Sequence, residues 1–146
     1  MKAALLVESL TGNTWKAAER IAANLQQENW QITGIDPVKK PNHAAIQEAD
    51  MVIVGTWVHG LFVVGQGPFG IGGVNNLPVM RGKKSAVFCT YALNAGKTLD
   101  KLTDAVSGRG AEVLGGLTIH RGHLDEHSEE FAVRLIDSIP RYGASA

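Results

Sequence analysis

The amino-acid sequence predicts an α/β fold in which helices cover a doubly wound, five-stranded parallel sheet. Strand and helix patterns alternate along the chain, and crossovers between such elements are right-handed and keep the strands parallel. The run at residues 50–55 is apolar enough for a strand that is covered on both faces. A length of 146 residues suits one packed core, so we expect a single domain over residues 1–146.

Each strand is predicted from its own pattern. The strand-like runs cover residues 2–8, 30–35, 50–55, 84–90 and 113–120. The first of them has the composition of a buried strand. The second alternates apolar and polar side chains, as an edge strand does, and Pro37 and Pro41 close it with a turn. The sheet is therefore expected to have at least one half-exposed edge.

The helices are predicted from apolar side chains that recur at helical spacing. The helix-like runs cover residues 15–27, 43–49, 97–108 and 128–139. Their inward-facing residues include Ala18, Ile21, Ala22 and Leu25 in the first helix, and Leu99, Leu102 and Val106 in the third. Ser128 is the expected N-cap of the last helix, and Pro140 ends it.

Residues 61–76 have a different composition from the other crossovers. They are rich in glycine and contain Pro68, which disfavours any helix. We therefore expect a Gly-rich loop in place of a regular third helix. The Gly-x-Gly-x-x-Gly pattern at residues 65–70 matches a dinucleotide fingerprint in letters only, because a true fingerprint follows a strand and opens a helix.

Composition and charge exclude several classes of partner. The chain has 14 basic and 14 acidic residues, so no net field favours nucleic acid or an anionic membrane. Its apolar runs are shorter than the ~20 residues of a membrane span. Cys89 is the only cysteine, which excludes an intrachain disulfide and favours the cytoplasm. We expect Cys89 to be a small, buried packing residue.

The most informative segment is Ser-Leu-Thr-Gly-Asn-Thr at residues 9–14, between the first strand and the first helix. A helix N-terminus offers free N–H groups and the positive end of its dipole to an anion. The segment adds hydroxyls, an amide and a glycine through Ser9, Thr11, Gly12, Asn13 and Thr14. It contains no lysine or arginine, which favours the phosphate of flavin mononucleotide (FMN) over a nucleoside triphosphate. An ordinary capped helix start would account for only one or two of these hydroxyls.

Two further loops are expected at the same edge of the sheet, and with them the chain resembles the flavodoxin family. Residues 9–14 are similar to the family's phosphate loop. Residues 55–60, Gly-Thr-Trp-Val-His-Gly, resemble its first ring loop, and residues 90–96 resemble its second. Ligands of doubly wound sheets bind at this edge, beyond the carboxyl ends of the strands. The resemblance, closest to short-chain members, implies the strand order 2-1-3-4-5, bound FMN and electron transfer between redox partner proteins.

The resemblance also implies which residues would bind FMN. Ser9, Thr11, Gly12, Asn13 and Thr14 would hold the phosphate. Trp57 and Tyr91 would flank the isoalloxazine, with Thr56, Val58 and His59 around it and the Gly60 carbonyl near the ring N5. Backbone groups of Thr90, Ala92, Asn94 and Gly96 would bind the pyrimidine edge of the ring. The chain departs from the family by lacking a Pro-Thr pair before Trp57, which shortens the first ring loop, and by its neutral charge.

Other functions remain open at this point. An FMN-dependent reductase of quinones or similar small acceptors is one alternative to the electron carrier, and an interaction domain without flavin is another. A signalling receiver would need an aspartate at the end of the third strand, where the chain has Gly55, Thr56 and Trp57.

Histidines occur at two places that bear on the chemistry. His59 lies beside the expected ring and could protonate a reduced flavin, although a solvent-facing or packing role is the commoner one. The spacing of His120, His123 and His127 matches no common zinc pattern, so we expect no metal site and a solvated loop instead.

Overall fold

The computed structural model describes residues 1–9, 12–59, 67–68, 71–92 and 95–139. Within them strands and helices alternate. The strands are β1 (Lys2–Val7), β2 (Gln31–Pro37), β3 (Met51–His59), β4 (Gly67–Pro68), β5 (Lys84–Tyr91) and β6 (Glu112–His120). The helices are α1 (Asn13–Gln27), α2 (His43–Glu48), α3 (Ile71–Asn75), α4 (Thr98–Ser107) and α5 (Leu124–Ser138), and a 3₁₀ turn at Arg121–His123 precedes α5.

Five of the strands form a parallel sheet in the order β2-β1-β3-β5-β6. The two-residue β4 pairs antiparallel with the end of β3, through Val58 with Pro68 and His59 with Gly67. With β4 set aside, this is the predicted 2-1-3-4-5 order, so the doubly wound fold is confirmed. In the described part of the chain, no helix is long and apolar enough to cross a bilayer.

The sheet is covered on both faces. Helices α1 and α5 pack on one face, and α2, α3 and α4 pack on the other. The central strands therefore bury both sets of alternating side chains, which explains why their sequences are continuous apolar runs. In β1, residues 3–7 are all buried, and fully buried Leu5 and Ile53 each contribute about 1.5–3 kcal/mol to folding.

Both edge strands of the described sheet are irregular. In β2, Thr33 is an extra residue between the two that pair with Ala3 and Ala4. In β6, Leu114 is an extra residue opposite Ser85 and Ala86. Each of these β-bulges interrupts the hydrogen-bond ladder and increases the local twist of its strand.

A close approach between β3 and β5 requires glycine at position 55. A Cβ atom built on Gly55 would lie 2.1 Å from Cζ of Phe88, far inside normal contact. The Phe88 ring is fully buried and packs edge-on against Phe131, with 5.7 Å between ring centroids. Gly55 therefore leaves room for the largest side chain in the centre of this core.

Two predicted elements are short by two residues, since β2 continues to Pro37, which pairs with Val7 instead of lying in a turn, and α1 begins at Asn13. Three others differ more. Strand β3 continues to His59 rather than ending at Gly55, because its last residues pair with both β4 and β5. Helix α5 begins at Leu124, so the prediction of Ser128 as its N-cap is wrong, and Ser128 is a buried residue inside the helix. The preceding 3₁₀ turn and the acidic Asp125 and Glu126 in the first turn start this helix earlier.

The third difference concerns the Gly-rich crossover. A five-residue helix, α3, forms at Ile71–Asn75, although the composition was expected to disfavour any helix. Its buried Val74 packs into the core between the sheet and α4. This tertiary contact outweighs the weak helix propensity of the two glycines in α3. This helix spans little more than one turn. Residues 61–66 and 69–70 lie outside the described residues, so the Gly-rich loop expected there stays a prediction.

Candidate functional site

The carboxyl ends of β1, β3 and β5 form one edge of the sheet, here called the carboxyl edge. It brings together most of the residues predicted to bind FMN. The described ones are Ser9, Gly12, Asn13, Thr14, Thr56, Trp57, Val58, His59, Thr90, Tyr91, Ala92 and Gly96. Thr11, Gly60 and Asn94 lie outside the described residues.

The N-terminus of α1 gathers hydrogen-bond donors around one hydroxyl. The backbone N–H groups of Gly12 and Trp15 point to the Ser9 Oγ, at 3.1 and 3.4 Å. Gly12 precedes the helix in the left-handed region, with φ of +90°, a conformation that favours glycine. The first turn of α1 contains no acidic residue. These features suit an anion at this helix end.

A buried hydroxyl pair joins the phosphate loop to the second ring loop. Thr14 Oγ1 and Thr90 Oγ1 are 2.7 Å apart, and these residues are 1% and 4% exposed. Thr14 was predicted to hold the phosphate, and the structure shows that its hydroxyl contacts Thr90. Its place in the first turn of α1 leaves its backbone N–H among the groups that face an anion. The two loops are therefore held together through side chains 76 positions apart in the sequence.

The two predicted ring loops begin on neighbouring strands. Trp57 in β3 pairs in register with Thr90 in β5, and both Trp57 and Tyr91 are half-buried. Val58 is half-buried too and pairs with Pro68 of β4. The aromatic side chains thus stand at the ends of adjacent strands, where a flat ring system could lie against them.

Thr56 and Cys89 lie beneath this surface. Thr56 is fully buried, and its hydroxyl has no hydrogen-bond partner among the described residues. Among the members of the predicted group whose burial is described, Thr56 is the least exposed, at 0%. Burial also raises the pKa of the Cys89 thiol to about 12, so the thiol is neutral at physiological pH. The prediction that Cys89 is a packing residue is confirmed.

A charged pair at the carboxyl edge was not predicted from the sequence. The Glu8 side chain, directly before the phosphate loop, is only 8% exposed, and Lys39 Nζ lies 3.6 Å from its Oε1. A buried carboxylate is costly without such a partner. Lys39 offsets the negative charge that Glu8 places beside the predicted phosphate loop. No spacing rule links a residue that follows β1 with one that follows β2, so only the glutamate at the end of an apolar run could have drawn attention to the pair.

His120 is a second residue whose role at this edge was not predicted. It ends β6, next to Tyr91 in the paired strand β5. The His120 Nε2 lies 2.8 Å from the Ala92 carbonyl oxygen, and the imidazole meets the Tyr91 ring edge-on at a centroid distance of 5.1 Å. The prediction that His120 lies in a solvated loop is wrong, because the His120 side chain contacts the second ring loop. Among the described residues, no group of histidines, cysteines and carboxylates is arranged to hold a metal ion.

The donors at the carboxyl edge fit the two ends of FMN. A phosphate needs convergent N–H and hydroxyl donors. The start of α1 offers the Ser9 hydroxyl, and the N–H groups of Gly12 and Trp15 would join it if a phosphate oxygen replaced Ser9 Oγ as their acceptor. An isoalloxazine needs flat apolar walls with a few polar groups, which the half-buried Trp57 and Tyr91 and the backbone around Ala92 can supply. Nothing in the described part of the site opposes this fit, since the buried carboxylate of Glu8 is paired with Lys39.

Comparisons with solved structures support the fold. Flavodoxin 2 from Bacillus cereus superposes with a TM-score of 0.74 at 21% identity, covering 95% of this chain and all of that one. The two-electron reduced flavodoxin of Megasphaera elsdenii gives 0.69 at 19% identity, covering 90% of this chain and 98% of that one. Rubredoxin oxygen:oxidoreductase from Desulfovibrio gigas gives 0.67 at 19% identity, covering 94% of this chain and 36% of that larger one. Similarities at these identities establish the fold alone.

The family is established by a sequence-family model. A comparison with curated proteins found no match. The model described as "Flavodoxin domain" matches residues 4–140, which is most of the chain and includes all three loops of the carboxyl edge. The chain therefore belongs to the flavodoxin family, whose cofactor is FMN and whose general role is electron transfer.

Proposed function

We propose that this protein is an electron carrier that binds FMN at the carboxyl edge and exchanges electrons with redox partner proteins. One observation carries the proposal. The donors around Ser9 and the aromatic residues Trp57 and Tyr91 lie at the same edge, and the Thr14–Thr90 hydroxyl pair links the loops that hold them. FMN has an anionic end and a flat ring, and this edge offers a site for each.

At the phosphate end, the donors would be Ser9, Thr11, Gly12, Asn13 and Thr14. The positive end of the α1 dipole adds about 0.3–1 kcal/mol for a negative charge at such a position. Because no basic residue lies within the loop, most of the binding free energy would come from directed hydrogen bonds. Lys39 stays close enough to keep Glu8 from repelling the phosphate.

At the ring end, Trp57 and Tyr91 would exclude water from the two faces of the isoalloxazine. Backbone groups of Thr90, Ala92 and Gly96, together with Asn94, would bind its pyrimidine edge. When bound, FMN supplies one- and two-electron redox chemistry, and the protein tunes it through stacking and hydrogen bonds. The Gly60 carbonyl is proposed as the hydrogen-bond partner near the ring N5. An exposed ring edge is sufficient for transfer to another protein.

One observation favours a reductase as the second candidate. Strand β4 pairs with Val58 and His59, so part of the Gly-rich crossover lies directly beside the first ring loop. Such a segment could flank a quinone or a similar small acceptor above the ring, and His59 is proposed to supply a proton to it. The neutral net charge leaves docking to a protein partner without a general electrostatic driving force. The cytoplasmic location expected from the single cysteine stays a prediction.

The first experiment is an absorbance spectrum of the purified protein, followed by stepwise reduction under anaerobic conditions. A yellow protein that is reduced in two separate one-electron steps supports the carrier. Reduction in one two-electron step, with rapid reoxidation by added quinone, favours the reductase. A colourless protein that takes up no added FMN would overturn the proposal and leave the flavin-free interaction domain.

The phosphate end is tested separately by the Ser9→Ala variant. Removing a hydroxyl that bonds a charged group costs about 1.5–3 kcal/mol, so FMN should bind about tenfold to a hundredfold more weakly. Riboflavin, which lacks the phosphate, should keep nearly the same affinity for both proteins. Ser107→Ala is the control, since Ser107 is an exposed residue at the end of α4. Equal losses for FMN and riboflavin would contradict the assignment.

A further inference from the structure

The side chain of His120 has a defined hydrogen-bond partner for each ring nitrogen. Its Nδ1 lies 3.0 Å from the backbone nitrogen of Gly122, and its Nε2 lies 2.8 Å from the carbonyl oxygen of Ala92. The Gly122 N–H can only donate, so Nδ1 must be the acceptor and carry no proton. The Nε2 then carries the proton, and its N–H donates a hydrogen bond to the Ala92 carbonyl oxygen. The two contacts together fix one tautomer, in which Nδ1 accepts and Nε2 donates.

These contacts hold the second ring loop in two ways. The Nε2–H···O bond fixes the direction of the Ala92 carbonyl. The same imidazole packs perpendicular to the Tyr91 ring, at an interplanar angle of 87°. Backbone and aromatic groups of this loop are the ones proposed above to bind the flavin ring. His120 itself lies on β6, outside those groups.

We propose that His120 is a positioning residue for the flavin ring. His120 holds Ala92 and Tyr91 in the arrangement that binds the ring, and it does so only while its imidazole is neutral. This inference rests on the proposed function. A second proton on His120 would sit on Nδ1 and face the Gly122 N–H, so that two donors oppose each other. The Gly122 contact would be lost and the ring would turn or shift away from Ala92. Ring binding should therefore be strong at neutral and alkaline pH and weaken as the pH falls.

Other titratable groups face His120 from each element packed against it. Strand β5 contributes Tyr91, the 3₁₀ turn contributes His123 at a ring-centroid distance of 5.5 Å, and α5 contributes His127, whose Nδ1 accepts the His120 backbone N–H at 3.0 Å. Glu126 lies 3.9 Å from the His123 Nδ1. Helix α4, which also packs on β6, carries the charged residues Asp100, Lys101 and Asp104. The test must therefore separate His120 from this surrounding group.

Two variants and one control make that separation. His120→Gln keeps an amide N–H that can reach Ala92 but cannot take up a proton, whereas His120→Phe removes the donor and keeps an aromatic ring. The control is His43→Gln, on the exposed start of α2. Riboflavin is the ligand, because the phosphate of FMN titrates near pH ~6 and would mask a change in the protein. The dissociation constant is measured by quenching of riboflavin fluorescence between about pH 5 and pH 8, where histidines titrate.

The wild-type protein and His43→Gln should bind riboflavin several-fold more weakly at the acid end of this range. His120→Gln should bind close to wild type at the alkaline end and show a flat profile. His120→Phe should bind about tenfold more weakly throughout, as expected for the loss of about 1.4 kcal/mol with one hydrogen bond. Ring ¹⁵N shifts of the flavin-free protein should show His120 protonated on Nε2 and not on Nδ1.

Three outcomes would overturn the inference. The first is a His120→Phe variant that binds riboflavin like wild type at the alkaline end. The second is a His120→Gln variant that keeps the wild-type pH profile, which would assign the titration to a neighbouring group such as His123 or His127. The third is a His120 tautomer protonated on Nδ1. If the wild-type protein binds neither FMN nor riboflavin, the proposed function itself fails. Failure of the His120 inference alone leaves flavin binding by the wild-type protein intact, so the two failures can be told apart.

Discussion

Substitution of Gly55 by alanine should strongly destabilise the protein. The added Cβ would lie 2.1 Å from Cζ of Phe88 and 2.4 and 2.5 Å from its two Cε atoms, whereas ordinary contacts begin at 3.4 Å. Neither the Gly55 backbone nor the Phe88 ring can move away easily. The Gly55 backbone is paired with β1 and β5, and the Phe88 ring is fully buried against Phe131.

The magnitude follows from the size of this overlap. Overpacking by a single methyl typically costs 1–3 kcal/mol, and an overlap of more than an ångström with a rigid ring places the cost near the upper end, at about 3 kcal/mol. The assay is urea denaturation followed by circular dichroism. The matched control is Gly115→Ala on the edge strand β6, where a Cβ would meet no described atom within 4 Å, so its free energy of unfolding should change little.

A double mutant tests the cause. Phe88→Leu alone should destabilise the protein by leaving a cavity, but combined with Gly55→Ala it should cost less than the sum of the two single changes, because the added methyl would occupy part of that cavity. The reasoning would be refuted by a Gly55→Ala protein within about 0.5 kcal/mol of wild type, or by additive losses in the double mutant.

Three further results are expected. Asn42→Ala should cost about 1 kcal/mol of stability without changing FMN affinity in a binding titration, because the Asn42 side chain caps α2 by accepting the Ala45 N–H at 3.1 Å. Gly12→Ala should lower stability by about 1–2 kcal/mol through its left-handed backbone and also weaken FMN binding, whereas unchanged FMN affinity would argue against the phosphate assignment. The Cys89 thiol, with its pKa raised from 9.0 to about 12, contributes stability that is fully present below pH 9.0 and is lost as the pH rises towards about 12. Cys89→Ala should remove this component from the alkaline part of a stability–pH curve, and a thiol reagent should leave native Cys89 unmodified.

The alternation of strands and helices and the grouping of the three loops could be predicted from sequence because both depend on local patterns, whereas the strand order came from the resemblance to the flavodoxin family. Alternating strand and helix runs leave few topologies, and the residues after β1, β3 and β5 must then share one edge. The loop at Ser9 was identifiable because three hydroxyls, an amide and a glycine before a helix exceed what a helix cap alone requires. The burial of Cys89 could be predicted because a free cysteine usually packs as a small apolar residue.

The features that sequence could not predict depend on long-range contacts. The Thr14–Thr90 pair, the Glu8–Lys39 pair and the His120–Ala92 bond each join residues from different parts of the chain. The N-cap prediction at Ser128 followed a local preference, but the 3₁₀ turn before α5 moved the helix start to Leu124. Helix α3 forms despite its glycines because Val74 gains a place in the core.

The bulges at the two outer strands have a consequence for association between molecules. An open sheet has two rows of unsatisfied N–H and C=O groups that could template the addition of a further strand from another chain. In β2 the hydroxyl of Thr33, the extra residue, bonds the carbonyls of Ala3 and Ala45, and in β6 the extra Leu114 shifts the register. Neither edge offers a flat, evenly spaced ladder, so the addition of a strand from another molecule is disfavoured at both edges. Deleting Leu114 would straighten β6 and should make the protein more prone to aggregate.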